Sequence, residues 1–185
     1  AGKPERSDFY LPLEAAKGLN IKIREGRIEI KKQKKKTGER RFGAGCQGKI
    51  EYWEKWPFEL KPDDSLIKAI TEGRKYDWIK VAKERLGFKY QFQKKKPVID
   101  TAFDEEVPEA CQVELTRKKK KKKRYYSFAL ESLSENKHEW QNFVNGAELA
   151  FTDLADFQQT NGNTIELVLP LERSMGYGEF LARNK

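Results

Sequence analysis

The chain has 185 residues, enough for one domain with its own core, and charged residues (36%) are nearly as frequent as apolar ones (37%). Its 12% aromatic content argues against disorder, and its single histidine, His138, argues against a histidine-dependent metal enzyme or catalytic triad. The net charge of +9 favours anionic partners such as nucleic acid, polyphosphate or nucleotides.

Cysteine usage and hydropathy indicate the compartment. The two cysteines, Cys46 and Cys111, match no zinc or CxxC spacing, so we expect free thiols in a cytoplasmic protein. No apolar run approaches the roughly 20 residues that cross a bilayer, so no membrane partner is expected. We interpret residues 1–185 as a single cytoplasmic domain.

The opening segments predict a short strand and a hairpin. Residues 9–13 form an apolar strand candidate. Residues 21–24 and 27–31 then alternate isoleucine with charged side chains, and Glu25-Gly26 supplies the glycine that a tight turn needs. Lysine and glycine dominate residues 32–48, which are predicted to be a mobile loop.

The middle of the chain predicts two strands and a helix. Residues 49–56 alternate and are rich in aromatics, and Pro57 is expected to end or bend that strand. Residues 63–73 have helical spacing, with Asp64 or Ser65 as the N-cap. The segment 76–92 fits helix or strand; its aromatic and β-branched residues favour a strand with a bulge or break at Gly87.

The second half predicts another hairpin, with a basic tip. Two alternating strands, 111–116 and 125–132, flank the run RKKKKKKR at 117–124. A loop is expected at 94–108, a helix at 136–157, a strand at 164–171, and a short helix or turn at 176–184. Seven or eight strands without a βαβ rhythm predict a mostly antiparallel α+β fold.

Alternation along the strands places charged side chains on shared faces. Glu29, Glu114 and Glu131 each stand on the polar side of a different strand. The sequence allows two interpretations: an open sheet with a solvated back, or a closed sheet whose polar face points inward while helices cover its apolar face. The five charged residues on one side of the first hairpin are Lys22, Arg24, Arg27, Glu29 and Lys31.

An inward polar face has a definite chemistry. Lysine and arginine would bind phosphate oxygens, arginine through its planar fork and lysine as a point charge. A few carboxylates among them would hold Mg²⁺ or Mn²⁺, which polarises a phosphoryl group and orients a water. No side chain is needed there as a covalent nucleophile.

Several segments resemble the triphosphate tunnel superfamily, also called CYTH, and a bacterial branch of tunnel-like proteins. They are DFYL at 8–11, LNIKIR at 19–24, IEIK at 28–31, VEL at 113–115, YYSFALES at 125–132 and SMGYGEFL at 174–181. The resemblance implies a closed or nearly closed eight-stranded antiparallel barrel with helices packed outside. It also implies a triphosphate- or polyphosphate-containing ligand and a divalent metal, as in a metal-dependent triphosphatase.

The resemblance assigns the site residues, with one departure. Arg27 stands where the family's Glu-x-Glu-x-Lys motif has its first glutamate, and the strand follows the D-x-Y segment rather than preceding it. By analogy, Glu29 and Lys31 would be catalytic and Arg24 would bind phosphate. Glu29, Glu114 and Glu131 would bind the metal, Mg²⁺ or Mn²⁺. Four more phosphate ligands follow from their positive charge and their predicted place on the polar faces of the strands: Lys22, Arg27, Lys83 and Arg85.

Two other functions remain open at this stage. Lysine runs at 34–36, 94–96 and 118–123 suit a non-enzymatic nucleic-acid-binding domain, in which each lysine neutralises a phosphate, the run from Lys118 to Lys123 above all. Tyr125 and Tyr126 beside that run could stack on bases or pack in the core. The third interpretation is an interaction domain whose charged sheet is merely solvated.

Overall fold

The computed structural model describes residues 2–13, 16, 18–42, 45–61, 63–72, 77–92, 98–100, 107–120, 123–134, 137–160 and 168–183. The fold is α+β, as expected, with one eight-stranded antiparallel sheet in which seven strands follow the order β4-β3-β2-β1-β5-β7-β8. The elements are β1 (Gly2–Leu11), β2 (Leu19–Arg24), β3 (Arg27–Phe42), β4 (Cys46–Glu59), α1 (Ser65–Thr71), β5 (Ile79–Gln91), β6 (Val98–Asp100), β7 (Ala110–Lys120), β8 (Lys123–Ser132), α2 (Glu139–Thr160) and α3 (Tyr177–Arg183).

The predicted hairpins are confirmed. β2 and β3 pair directly across Glu25-Gly26, whose φ angles of 49° and 77° give both central turn positions the positive φ of a type I′ turn. β7 and β8 form the second hairpin, with Lys119 directly opposite Arg124 near its tip. The predicted helix after residue 63 is also present, with Asp64 as the N-cap whose Oδ1 accepts a hydrogen bond from Leu66 N.

The lysine-rich loop predicted at 32–48 is wrong. β3 continues to Phe42 and pairs with β4 up to Cys46, so most of this segment lies in a long two-stranded ribbon. Two register shifts, one after Gln33 and one after Lys36, break the alternation of side chains, which removes the period-two signal from the sequence. The ribbon is held by main-chain hydrogen bonds, which lysine side chains do not prevent.

Three smaller predictions also change. β5 runs through Gly87 in continuous register with β7, so the expected bulge or break is absent. The loop predicted at 94–108 contains β6, and its residues 94–97 and 101–106 lie outside the described part of the chain. Of the strand predicted at 164–171, residues 164–167 are not described, and Leu169 makes an isolated parallel bridge with Cys46.

The sheet curls strongly around one of its faces. Lys31 on β3 and Glu131 on β8 approach to 3.6 Å, although β2, β1, β5 and β7 lie between their strands. In a flat sheet, five steps of about 4.8 Å would separate those strands by roughly 24 Å. We call the side that carries Lys31 and Glu131 the inner face and the opposite side the outer face.

Of the predicted closed or nearly closed eight-stranded barrel, the eight antiparallel strands are present, but the sheet does not close into a barrel. β4 and β8 are the ends of the strand order, and no ladder joins them in the described ranges. The reason is the position of β6. β6 pairs with β5 at Lys89–Gln91, on the same edge of β5 that pairs with β1 over Ile79–Leu86. The eighth strand therefore does not fill the gap between β4 and β8.

The helices cover both faces. α2 packs on the outer face, where Phe151 contacts Phe128 of β8 and Ala150 joins a core with Tyr90 and Val113. α3 packs on the inner face, where Tyr177 stacks on Tyr10 of β1 with ring centroids 4.5 Å apart. The prediction that the helices lie outside therefore fails for α3.

Gly146 allows the close contact between α2 and β7. A Cβ at this position would meet Cβ and Sγ of Cys111, a free thiol that is fully buried. We expect Gly146→Ala to lower the free energy of unfolding by about 1–3 kcal/mol, because overpacking outweighs the helix propensity of about 1 kcal/mol that alanine gains.

Urea unfolding of both proteins measures the effect. Cys111→Ala in the Gly146→Ala background is the matched rescue, since it removes one of the two clashing atoms, and it should restore part of the loss. A Gly146→Ala variant that is more stable than the wild type would contradict the close packing.

Candidate functional site

The inner face gathers the residues that the sequence singled out. Directly paired residues share a face, and the register sets Lys22 opposite Glu29, Lys83 opposite Lys118, and Gln112 opposite Glu131. Alternation along each strand places the others. The inner face carries all nine predicted site residues: Lys22, Arg24, Arg27, Glu29, Lys31, Lys83, Arg85, Glu114 and Glu131.

Glu29 lies at the centre of the first ion cluster, between β2 and β3. Its carboxylate is 2.7 Å from Lys22 Nζ and 2.6 Å from Arg24 Nη2, and the residue is 2% exposed. Burial alone would raise the pKa of Glu29, but the hydrogen bond and charge of Lys22 and the charge of Arg24 hold that pKa below its usual range. Glu29 is therefore an ionised carboxylate occupied by two cations.

Asp8 and Lys83 form the second cluster, on the central strands β1 and β5. Lys83 Nζ lies 3.0 Å from Asp8 Oδ2, which also accepts a hydrogen bond of 3.1 Å from Tyr10 OH. Arg6 Nε lies 3.5 Å from the other carboxylate oxygen. Burial lowers the pKa of Lys83 to about 7, and although burial by itself raises the pKa of Asp8, the neighbouring Lys83 and Lys22 lower it overall.

Glu114 anchors the third cluster, between β5 and β7. Arg85 approaches one carboxylate oxygen through Nη2 at 2.7 Å and Nε at 3.0 Å, and Thr116 donates a hydrogen bond to the other oxygen. Burial raises the pKa of Glu114, but the Arg85 charge and these hydrogen bonds outweigh burial and lower it overall. This glutamate is also committed to a cation.

Lys118 differs from the other buried cations. It is 7% exposed, and no described residue forms an ion pair with its ammonium group. Instead Nζ lies over the rings of Tyr177 and Phe180, 4.3 and 5.1 Å from their centroids, while Lys83 Nζ lies 4.1 Å from the same Tyr177 centroid. Burial lowers the pKa of Lys118 to about 8. Two ammonium groups thus share one aromatic ring.

Three of the predicted residues lie at the margins of the inner face. Lys31 and Glu131 face each other at 3.6 Å across the open side of the sheet, with side chains 32% and 55% exposed. Arg27 is half exposed and pairs with Glu59 of β4 at 2.6 Å, away from the buried clusters. These groups are accessible to a ligand, but they are not held in a buried network.

The arrangement does not fit a preassembled metal site. Glu29, Glu114 and Glu131 belong to separate ion pairs: Glu29 pairs with Lys22 and Arg24, Glu114 with Arg85, and Glu131 with Lys31. Among the described residues, no group of three or more His, Cys, Asp or Glu side chains could hold a metal ion. The carboxylates here neutralise cations instead of gathering around a shared position.

Sequence reasoning missed several residues of this face. Asp8 is not among the predicted site residues, and Lys118 belongs to the run predicted as the basic tip of a hairpin, whereas both side chains are buried. The alternation of side chains along a strand could have identified both residues. Asp8 lies two positions from Arg6 on β1, and Lys118 lies four positions from Glu114 on β7, so each pair shares a face. Tyr177 could not be found this way, because nothing in its local sequence indicates that α3 folds onto the charged face.

Comparisons with family models, with curated proteins and with solved structures give no match. None of the described helices has both the length and the apolar character that crossing a membrane requires. The function is therefore argued from the charges and contacts of the inner face.

Lys118 makes the stability depend on pH in a predictable direction. Its pKa falls from an ordinary value near 10.5 to about 8 in the folded protein, so between these pH values the unfolded chain binds more protons and the wild type gains stability as pH rises. We expect Lys118→Met to be more stable than the wild type at pH 7, by up to about 3 kcal/mol. That advantage should shrink as the pH rises from 8 to 10.5.

Urea unfolding at a series of pH values measures the difference. Lys119→Met, at an exposed position on the outer face of the same strand, is the matched control for removing a lysine ammonium group from β7. A Lys118→Met advantage that is constant from pH 7 to 10.5 would contradict the buried, unpaired ammonium.

Proposed function

We propose that the inner face binds a triphosphate- or polyphosphate-containing ligand. The observation that carries this proposal is the facing pair Lys83 and Lys118, two buried ammonium groups for which Asp8 is the one directly paired carboxylate among the described residues. Burying like charges together is unfavourable unless counter-charge is supplied. A bound polyanion would supply it.

The excess of cations extends along the whole face. Among the residues whose side chains the structure describes, the strand carboxylates there are Asp8, Glu29, Glu51, Glu59, Glu114 and Glu131. Five of them form ion pairs, and Glu51 accepts a hydrogen bond from Trp53 Nε1. The cations outnumber these six groups, and they include Arg6, Lys22, Arg24, Arg27, Lys31, Lys83, Arg85, Lys89 and Lys118.

The spread of the cations favours a ligand with several phosphates. Arg24, Lys31 and Arg85 belong to three different strands, and their side chains keep 18%, 32% and 14% of their surface exposed. A single carboxylate or monophosphate contacts only a few such groups at once. A chain of phosphates reaches several, and each arginine offers a planar fork to its oxygens. The resemblance to the triphosphate tunnel superfamily supports the same ligand class.

Lys31 and Lys32 provide a matched test because neighbouring residues on β3 point to opposite faces. We expect Lys31→Gln to weaken tripolyphosphate binding about tenfold, the effect of losing one charged hydrogen bond, while Lys32→Gln leaves it within about twofold. Isothermal titration calorimetry with tripolyphosphate, ATP and thiamine triphosphate measures both variants. Equal affinity in all three proteins, or no binding by the wild type, would refute the proposed site.

Hydrolysis is separable from binding. Because Glu29, Glu114 and Glu131 are held by cations, the arrangement favours binding without turnover, so we expect no phosphate release from tripolyphosphate above the protein-free rate, with or without Mg²⁺ or Mn²⁺. A phosphate-release assay measures this. Metal-dependent release that is lost in Glu29→Gln and Glu131→Gln would instead establish the triphosphatase that the resemblance implies.

A further inference from the structure

The outer face of β5, β7 and β8 is only partly covered. Near α2, Phe88, Val113 and Leu130 pack in its core. Further toward the β7–β8 turn, the register sets out three successive rows of side chains that α2 does not bury. We call this surface the outer platform; it consists of Leu86, Leu115, Glu84, Arg117, Tyr126, Lys119 and Arg124.

One half of the outer platform is apolar and exposed. Leu86 and Leu115 are directly paired and are 48% and 46% exposed, and Tyr126 is 67% exposed. A cavity of about 160 Å³ lies among these three side chains, Glu84 and Arg117. Contiguous exposed apolar surface on a sheet is typical of a binding site.

The other half is basic and lacks compensating charge. Lys119 stands directly opposite Arg124, and like charges in that position destabilise a sheet. No described residue forms an ion pair with either side chain. The two side chains line a second cavity, of about 110 Å³, with Glu84 and Arg117 among others, and Glu84 is already paired with Arg117. An anion bound here would relieve the repulsion.

The combination selects one class of occupant. An aromatic ring beside flat apolar surface suits the face of a nucleobase, and cations one row away suit the phosphates of the same strand. The row that contains Tyr126 and the row that contains Lys119 are about 7 Å apart along β7, within the reach of one nucleotide and its phosphate. An acidic peptide would use the cations but has no requirement for the exposed ring of Tyr126.

We propose that the outer platform binds single-stranded nucleic acid, with a base stacked on Tyr126 and the backbone held by Lys119 and Arg124. This site is distinct from the inner face, since Lys119 and Tyr126 point away from Lys118 and Tyr125 on the same two strands. Tyr125 instead packs against Phe180 of α3. The two sites can therefore be tested independently.

Fluorescence anisotropy of a labelled twelve-nucleotide oligouridine, titrated with the full chain over a salt series, tests the proposal. We expect the double variant Lys119→Gln, Arg124→Gln to bind at least tenfold more weakly and to lower the salt slope by about 1.4, the loss of two single-strand phosphate contacts. Tyr126→Ala should bind about fivefold to a hundredfold more weakly with an unchanged slope, because it removes stacking and no charge.

Controls separate this site from the inner face. Lys31→Gln should leave oligouridine binding unchanged, and the outer-platform variants should leave tripolyphosphate binding unchanged. All substituted positions are exposed or partly exposed, and circular dichroism and thermal unfolding verify that the variants fold. Full oligouridine affinity in the double variant and in Tyr126→Ala, or affinity lost only in Lys31→Gln, would overturn the proposal. So would polyglutamate binding as tightly as oligouridine and independently of Tyr126.

Discussion

The buried ion pair between Lys83 and Asp8 is the interaction on which the inner face depends. It joins the two central strands of the sheet at 3.0 Å, and Asp8 has no exposed surface. Removing either partner would leave an uncompensated charge in the interior, which is far more unfavourable than an exposed one. Tyr10 and Tyr177 surround the pair, so the same interaction also connects the sheet to α3. The charged face is thus part of the core.

The ion pair between Lys83 and Asp8 leaves the neighbouring positive charge of Lys118 without a paired carboxylate of its own among the described residues. Lys118 faces Lys83 across β5 and β7, and Lys22 adds a further positive charge near Asp8. Lys118 forms no ion pair with a described residue; aromatic ring faces lie against its ammonium group, and the charge of Glu114 only partly offsets its burial. Burial lowers the pKa of Lys83 and of Lys118, which shows that the fold holds their charged forms at a disadvantage. The excess of buried positive charge destabilises this face by itself, and the same excess favours the binding of a polyanion.

The sequence predicts local structure well, including which strand residues share a face, but it predicts long-range geometry poorly. The hairpin at Glu25-Gly26 and the shared face of Lys22, Arg24 and Glu29 follow from alternation and turn chemistry, which are local. Closure of the sheet is not local: it depends on β6 pairing beside β1 instead of spanning the open edge. The position of α3 is also non-local, because an amphipathic segment containing Tyr177 fits an apolar face equally well. The register shifts in β3 remove the alternation that would have revealed its length.

The alternation of side chains along β7 divides the lysine run at the β7–β8 turn between the two faces of the sheet. As a sequence it is a uniform block of positive charge, yet its first two members separate, Lys118 into the buried inner face and Lys119 onto the exposed outer one. A block of charge that was only a solvated tip would leave both exposed. The adjacent tyrosines divide in the same way, with Tyr125 against Phe180 and Tyr126 in solvent. A two-stranded hairpin can therefore serve two anion sites at once, because alternation assigns its successive residues to opposite sides of the sheet.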